Sequence, residues 1–347
     1  MKRILSLILT AVFLSALSIP CGATGTETTT SRAYPGFADV AEGSASYDAI
    51  KLCYERGLMN GTSDTAFNPQ GKLTVAQLVV LAARLYDLQC GGDGMVPDLP
   101  DLSQPYLRFY DGEGNLIASY SRPEELPAYN AAANPYIALS ETPDDPALPE
   151  TCTLQIGYEG YNWVGYYEGV RESHESAGGV MHQGLVGTGY RFEDPKAGRF
   201  TTLPGQQYVE QYKDAWWFPA VFYLGSEGVM GFWGDLVLRA SGWNNGDDSG
   251  YDPAVRFSKD NATRALFAWL VDLTAGKLEA VNETASVPDV NPDETQDAAA
   301  ILRLYQAGVL TGVDKAGNFG GDKALTRAQA AIMMARVLEP SLRVRAG

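Results

Sequence analysis

Two arginines stand directly behind a helix-opening threonine, in Thr263-Arg264-Ala265 and Thr326-Arg327-Ala328. A guanidinium there opposes the helix dipole, but beside a free fork of helix-start amides it makes a site for a carboxylate. Pairing of each arginine with a local acid is the plainer reading, and such exposed pairs contribute little. Trp216, one aromatic at a helix start, could stack on a sugar face or anchor a core. The two histidines, His174 and His182, lie eight residues apart near Glu172 and Glu175, a spacing that matches no metal motif, so no metal site is predicted. Glu159 and Glu168 could serve as paired glycosidase carboxylates, but only their separation in space would decide that. Asp247-Asp248 lacks the spacing of a calcium loop and reads as a solvated turn.

An internal repeat supplies the elements that would position these groups. The first segment runs from Phe37-Ala38-Asp39-Val40 through a helical stretch from Tyr47, stopped at Gly57, to Thr74 at the start of a second helix. The last runs from Val287-Pro288-Asp289-Val290 through Ala300–Tyr305, stopped at Gly308, to Thr326. Gly57 and Thr74 are 17 residues apart, and Gly308 and Thr326 are 18 apart, so register is shared as well as composition. A middle segment carries Asp214, Trp216, Gly228 and Thr263, with about 17 extra residues in the loop joining its helices. Thr74/Gln77 and Thr326/Gln329 are capping boxes, whereas Leu266 denies Thr263 its reciprocal partner. Helix pairs this small cannot bury their apolar faces alone, so the three should pack on one another.

This plan resembles the S-layer homology domain, a family that typically occurs as three tandem copies. Its marks stand here as Phe37/Asp39, Asp214/Trp216, Asp289, Thr263-Arg264-Ala265 and Thr326-Arg327-Ala328, over about 37–90, 212–275 and 287–340. The resemblance implies an α+β chain in which three helix-pair repeats pack as a pseudo-threefold unit. Its grooves would bind a secondary cell wall polysaccharide, often pyruvylated, and fix the protein non-covalently to the wall. The expected polysaccharide-binding residues are Arg264, Arg327, Asp214, Trp216, Asp289, Asp39, Thr263 and Thr326, with no cofactor. Val75 replaces the arginine in the first copy, and Ala45 and Gln296 stand where copies one and three would have Trp. At most two competent grooves are therefore expected.

Residues 91–211 leave the helical plan. Tyr106–Tyr110 and Leu116–Tyr120 flank a Gly-rich turn, and Thr151–Ile156, Trp163–Tyr167 and Gly189–Phe192 are further strand-like runs. A β-rich insertion between repeats one and two follows, too long for an ordinary loop. Its aromatic cluster, Tyr158, Tyr161, Trp163, Tyr166 and Tyr167, could form a sugar platform, although strand alternation would put about half of it in a core.

Lys2 and Arg3 precede an apolar stretch from Ile4 to Ile19, the form of a secretory signal ending near residue 23. A lipoprotein signal at Cys21 is disfavoured by Pro20, and an uncleaved anchor is the other rival. The expected order is signal peptide 1–23, repeat one 35–90, insertion 91–211, repeat two 212–275 with a loop insertion at about 232–256, and repeat three 287–340. Cys53 and Cys90 are expected as small buried side chains, or else as a bridge with each other.

The chain has 347 residues, 26 basic against 42 acidic, for a net charge of −16. Loss of residues 1–23 removes two basic groups and no acid, giving −18. That balance excludes unspecific nucleic-acid binding and bulk attraction to an anionic polymer. A non-enzymatic, exported cell-surface protein is expected, with the insertion as a binding or lattice-contact surface. Self-association and contacts with other surface proteins are further expectations, and no membrane span is expected after processing. The alternative is an envelope enzyme hydrolysing wall glycans, its active site in the insertion.

Overall fold

The structure is a computed structural model that describes residues 32–101, 106–120, 151–158, 161–175, 181–193, 211–227, 229–230, 234–241, 252–283, 286–293, 295 and 297–345. The expected signal segment, Glu159, Gly228, the Asp247-Asp248 turn and Gln296 lie outside these residues. The described part is α-rich, and helices and their loops supply its buried core.

The first helix pair comprises α1 (Tyr47–Glu55) and α2 (Val75–Gln89). Five strands follow: β1 (Tyr106–Tyr110), β2 (Leu116–Tyr120), β3 (Thr151–Tyr158), β4 (Tyr161–Glu175) and β5 (Met181–Glu193). They pair antiparallel in the order β2-β1-β3-β4-β5. The middle pair contains α3 (Phe218–Ser226) and α6 (Arg264–Thr274), with α4 (Gly234–Ala240) and α5 (Pro253–Arg256) between them. The expected loop insertion at 232–256 is thus partly helical. Leu236 and Val237 of α4 are buried, which removes their apolar surface from water and gives the segment a reason to fold. The last pair is α7 (Ala298–Gln306) and α8 (Arg327–Leu338).

The second helix of each pair packs on the first helix of the next: α2 on α3, α6 on α7, and α8 back on α1. Backbone hydrogen bonds follow the same route. The Leu73 amide donates to the Leu325 carbonyl, the Leu325 amide to Ala262, and the Ala262 amide to Leu73. These three bonds close a ring, and the three pairs share one buried core. Ile50 of α1 is fully buried in this arrangement.

The caps follow the sequence. The Thr74 and Thr326 side chains accept the Gln77 and Gln329 amides, and both glutamines return the bond; Thr263 accepts from Leu266 without reciprocity. Gly57 and Gly308 adopt φ of +74° and +70° just beyond α1 and α7, the left-handed stop that glycine takes without strain.

Cys53 meets the expectation of a small buried side chain, and Cys90 departs from it. Cys53 is a fully buried free thiol whose Sγ–H reaches the Ala331 carbonyl of α8. Burial pushes that thiol up to about 12, so it stays protonated and inert. Cys90 is disulfide-bonded, which excludes a Cys53–Cys90 bridge. Among the described residues, no helix is long and apolar enough to cross a membrane.

Ile50→Ala is expected to destabilise the chain by about 2–5 kcal/mol through lost burial and the cavity left behind. Hydrogen exchange should then accelerate in α8 as well as in α1, because the two share one core. Loss of protection confined to α1 would contradict the interlocked arrangement.

Candidate functional site

At the junction of the last pair with the first, Arg327 opens α8 and is only 7% exposed. Its Nε–H donates to the Phe67 carbonyl at 2.8 Å and its Nη2–H to Asn60 at 2.5 Å. The guanidinium lies over the Phe67 ring, 4.4 Å from the centroid. The first α8 amides are also taken, Arg327 by the Gly71 carbonyl and Ala328 by Pro69. Above the arginine, the exposed Asp39 carboxylate accepts the Phe67 and Asn68 amides at 2.8 and 2.7 Å. Two successive amides can face one carboxylate because Asn68 adopts φ of +57°, a conformation asparagine tolerates better than most residues.

The junction of the middle pair with the last repeats this geometry. Arg264, 6% exposed, donates through Nε to Phe319 at 2.8 Å and through Nη2 to Thr311 at 3.0 Å. The Arg264 and Ala265 amides go to Lys323 and Gly321. Asp289 accepts the Phe319 and Gly320 amides, and Gly320 has φ of +65° where the first junction uses Asn68. The buried Tyr305 hydroxyl has no partner that meets hydrogen-bond geometry, although the Arg264 guanidinium is close enough to influence it.

The junction of the first pair with the middle is apolar. Val75 fills the arginine position and is 1% exposed, while its amide and that of Ala76 reach Asp260 and Phe257. Phe257 packs against the buried Trp217 at 4.9 Å between centroids. Asp214 is exposed here, and the 57% exposed Trp216 donates from Nε1 to the Ser258 hydroxyl at 3.3 Å.

Of the residues singled out from sequence, Asp39 comes together with Arg327 and Asp289 with Arg264, whereas Trp216 bonds to Ser258 within the middle pair and Asp214 is exposed. The expected free amide fork is not free, because threonine caps and neighbouring carbonyls occupy it. Among the described residues no acid forms an ion pair with Arg264 or Arg327; backbone carbonyls of the next pair take that place. Thr263 and Thr326 serve as caps through their side-chain oxygens.

Desolvation lowers the pKa of both arginines, with Asp39 and Asp289 acting against it, yet a guanidinium this basic stays charged. Desolvation also works against ionised Asp39, but the Phe67 and Asn68 amides and the Arg327 charge outweigh it and hold the carboxyl below its ordinary range. Asp289 is likewise held low, its partial desolvation overcome by the Gly320 and Phe319 amides. Each of these two junctions thus offers an ionised acceptor at the surface over a fixed cation and an aromatic ring. Such a set can take sugar hydroxyls on the carboxylate.

Sequence reasoning missed Arg84 and Arg336. Each sits ten residues after its cap, Thr74 or Thr326, and that shared spacing was the available signal. Arg84 Nη1 donates to the Gly57 and Leu58 carbonyls, and Arg336 Nη1 to Val309, so each fixes the loop behind its own first helix. Arg239 of α4 was also missed; it forms a two-bond ion pair with Asp297, the N-cap of α7.

A carboxyl held low stabilises the fold above its unfolded pKa of about 4, and this contribution is lost as pH falls through the lower folded value. Asp39→Asn should therefore melt below the parent at neutral pH, with the gap closing toward about pH 3. An equal gap in calorimetric Tm at both pH values would contradict the assignment. Arg327→Ala removes two charge-assisted bonds to loop carbonyls and should destabilise by about 3 kcal/mol, with Arg327→Lys intermediate. An unchanged Tm for the alanine variant would refute the clamp.

Comparison with known proteins converges on these junctions. The S-layer homology domain model matches residues 36–78 and 288–331. An endoglucanase from Bacillus sp. (strain KSM-635) is 37% identical over 83 residues, which is 24% of this chain and 9% of that protein. No solved structure matches. Two segments of the chain, 36–78 and 288–331, thus match the S-layer homology domain.

Proposed function

We propose that the chain is an exported, non-enzymatic protein held at the cell wall by non-covalent binding of a secondary cell wall polysaccharide. One observation carries the reading. The two matched segments build a single junction, with Asp39 and Phe67 coming from 36–78 and Arg327 from 288–331. In this reading the middle segment is a third, diverged copy, and the closed ring of bonds among Leu73, Ala262 and Leu325 supports a three-lobed unit. The polymer is bound at the Asp39–Arg327 and Asp289–Arg264 junctions, while the Val75 junction is closed to it by apolar packing. Trp216 offers an exposed ring beside that closed junction, for a sugar at its rim. Residues 91–211 form a module that presents its sheet to a ligand or to neighbouring surface proteins.

With 9% of the endoglucanase covered, that protein's activity does not transfer to this chain. Pyruvylated sugars suit the reading at Arg327, where Nε and Nη2 serve loop carbonyls and a ketal carboxylate can approach Nη1; Nη1 of Arg264 already meets Met333 Sδ. The bulk charge of −16 opposes an anionic polymer, so attachment depends on these few groups and weakens little as salt rises.

The test is a pull-down on purified wall sacculi, intact or chemically stripped of non-peptidoglycan polymer. Binding to intact walls and not to stripped walls is expected. Arg264→Lys and Arg327→Lys, first confirmed as folded by their helical circular dichroism, should each reduce it. Equal binding to stripped walls, or indifference of folded variants to both substitutions, would sink the mechanism.

A further inference from the structure

Three guanidiniums converge on four consecutive carbonyls behind α1. Arg84 Nη1 donates to Gly57 and Leu58 at 3.4 and 3.2 Å, Arg32 Nη2 to Met59 at 2.7 Å, and Arg327 Nη2 to Asn60. Arg32 Nε also donates to the Tyr54 carbonyl at 2.6 Å, and its guanidinium lies over the Tyr54 ring, 3.7 Å from the centroid. Tyr54 and Met59 bracket Gly57 and Leu58 on one tight turn, closed by the Gly57 amide on Tyr54 and the Met59 amide on Cys53. The Arg32 and Arg84 cations therefore sit beside each other.

Nothing described neutralises this pair. Burial, and then the neighbouring Arg32 charge, pushes the Arg84 pKa down, and no acid acts against them. Arg84 Nε is buried without a hydrogen-bond partner. The nearest acids turn elsewhere. The Asp93 carbonyl lies 3.5 Å from where a side chain on Gly57 would begin, but its carboxylate accepts the Met95 amide. Glu55 meets Arg32 through its backbone carbonyl.

The last helix pair supplies the contrast. Arg336 takes the Val309 carbonyl as Arg84 takes Leu58, but neutral Asn282 stands where Arg32 does, its amide reaching Tyr305 and Val344. The chain end covers that turn: the Val344 amide donates to Gly308, and a side chain on Gly308 would meet the Val344 carbonyl at 2.5 Å. Burial alone lowers the Arg336 pKa. One turn thus holds a single covered cation. The other holds two, whose Arg32 Nη1 and Arg84 Nη2 groups the turn does not use.

We propose that Arg32 and Arg84 form a binding site for an oxyanion, a phosphate or carboxylate group held between Arg32 Nη1 and Arg84 Nη2. Guanidinium forks match the oxygens of both groups, and an anion shared by two cations replaces their mutual repulsion with attraction. The site shares the Gly57–Asn60 turn with the Asp39–Arg327 junction but uses different side chains, and it does not depend on the wall-polymer reading.

The test is an NMR titration of the full chain at low ionic strength, following the arginine Nε–H resonances, with inorganic phosphate in one arm and acetate in the other. Saturable shifts at Arg32 and Arg84 are expected, with a Kd of about 1 mM in the better arm, which names the ligand class. Arg32→Gln, its folding checked by Tm, should weaken binding at Arg84 about tenfold, and Arg32→Lys should weaken it less because the charge remains while the fork is lost. Three results would overturn the site: no saturable shift with either anion up to about 50 mM, equal shifts at Arg336, or a folded Arg32→Gln chain that binds as the parent does.

Discussion

The structure depends on one contact made three times: the start of a second helix docked on the loop of the next helix pair. Each docking places two helix-start amides on loop carbonyls, Val75 and Ala76 on Asp260 and Phe257, Arg264 and Ala265 on Lys323 and Gly321, Arg327 and Ala328 on Gly71 and Pro69. Orphan amides at a helix start must find acceptors when buried. Here the acceptors belong to a different pair, so satisfying the helix ends and assembling the pairs are the same event. The last docking joins residues some 260 positions apart, which makes closure of the ring a long-range step.

The arginines at two of these contacts carry a tension between fold and function. A cation at a helix start is unfavourable by itself, and each arginine resolves this by reaching across to carbonyls and an aromatic ring of the next pair. That engagement buries the charge and uses Nε and Nη2, leaving little of the guanidinium for a ligand. The exposed partner is the aspartate, whose carboxylate already organises the loop below it. Where Val75 replaces arginine, the junction keeps its helix-start amide bonds to Asp260 and Phe257 and adds a buried valine and the Trp217–Phe257 ring pair in place of a guanidinium. One contact geometry thus tolerates both a polar and an apolar solution, and only the polar one presents chemistry at the surface.

Much of this was legible in the sequence because it rests on local signals. The capping boxes at Thr74 and Thr326, the left-handed stops at Gly57 and Gly308, and the shared spacing between them all follow from short-range chemistry. What the arginines touch was not legible, since Phe67 and Asn60 lie far from Arg327 in sequence and belong to another pair. Arg84 and Arg336 were missed although their register repeats, because a mid-helix arginine ordinarily reads as a solvated side chain. The register between β4 and β5 was hidden for a similar reason: the lengths of the two strands exceed their visibly alternating cores, and register is a property of two strands together. The helical turns within 232–256 were hidden by flanking Gly, Asn and Asp, which read as loop.

The central claim is that the arginine-bearing junctions are at once the clamps of the ring and the surface that meets the wall polymer. The most direct measurement is a crystal structure of the full chain with a short fragment released from that polymer. Bound sugar is predicted against the Asp39–Arg327 junction, the Asp289–Arg264 junction or both, with the Phe67 and Phe319 carbonyl bonds to the arginines retained. Sugar found solely on the sheet, or an arginine that must leave its carbonyls to bind, would contradict the account.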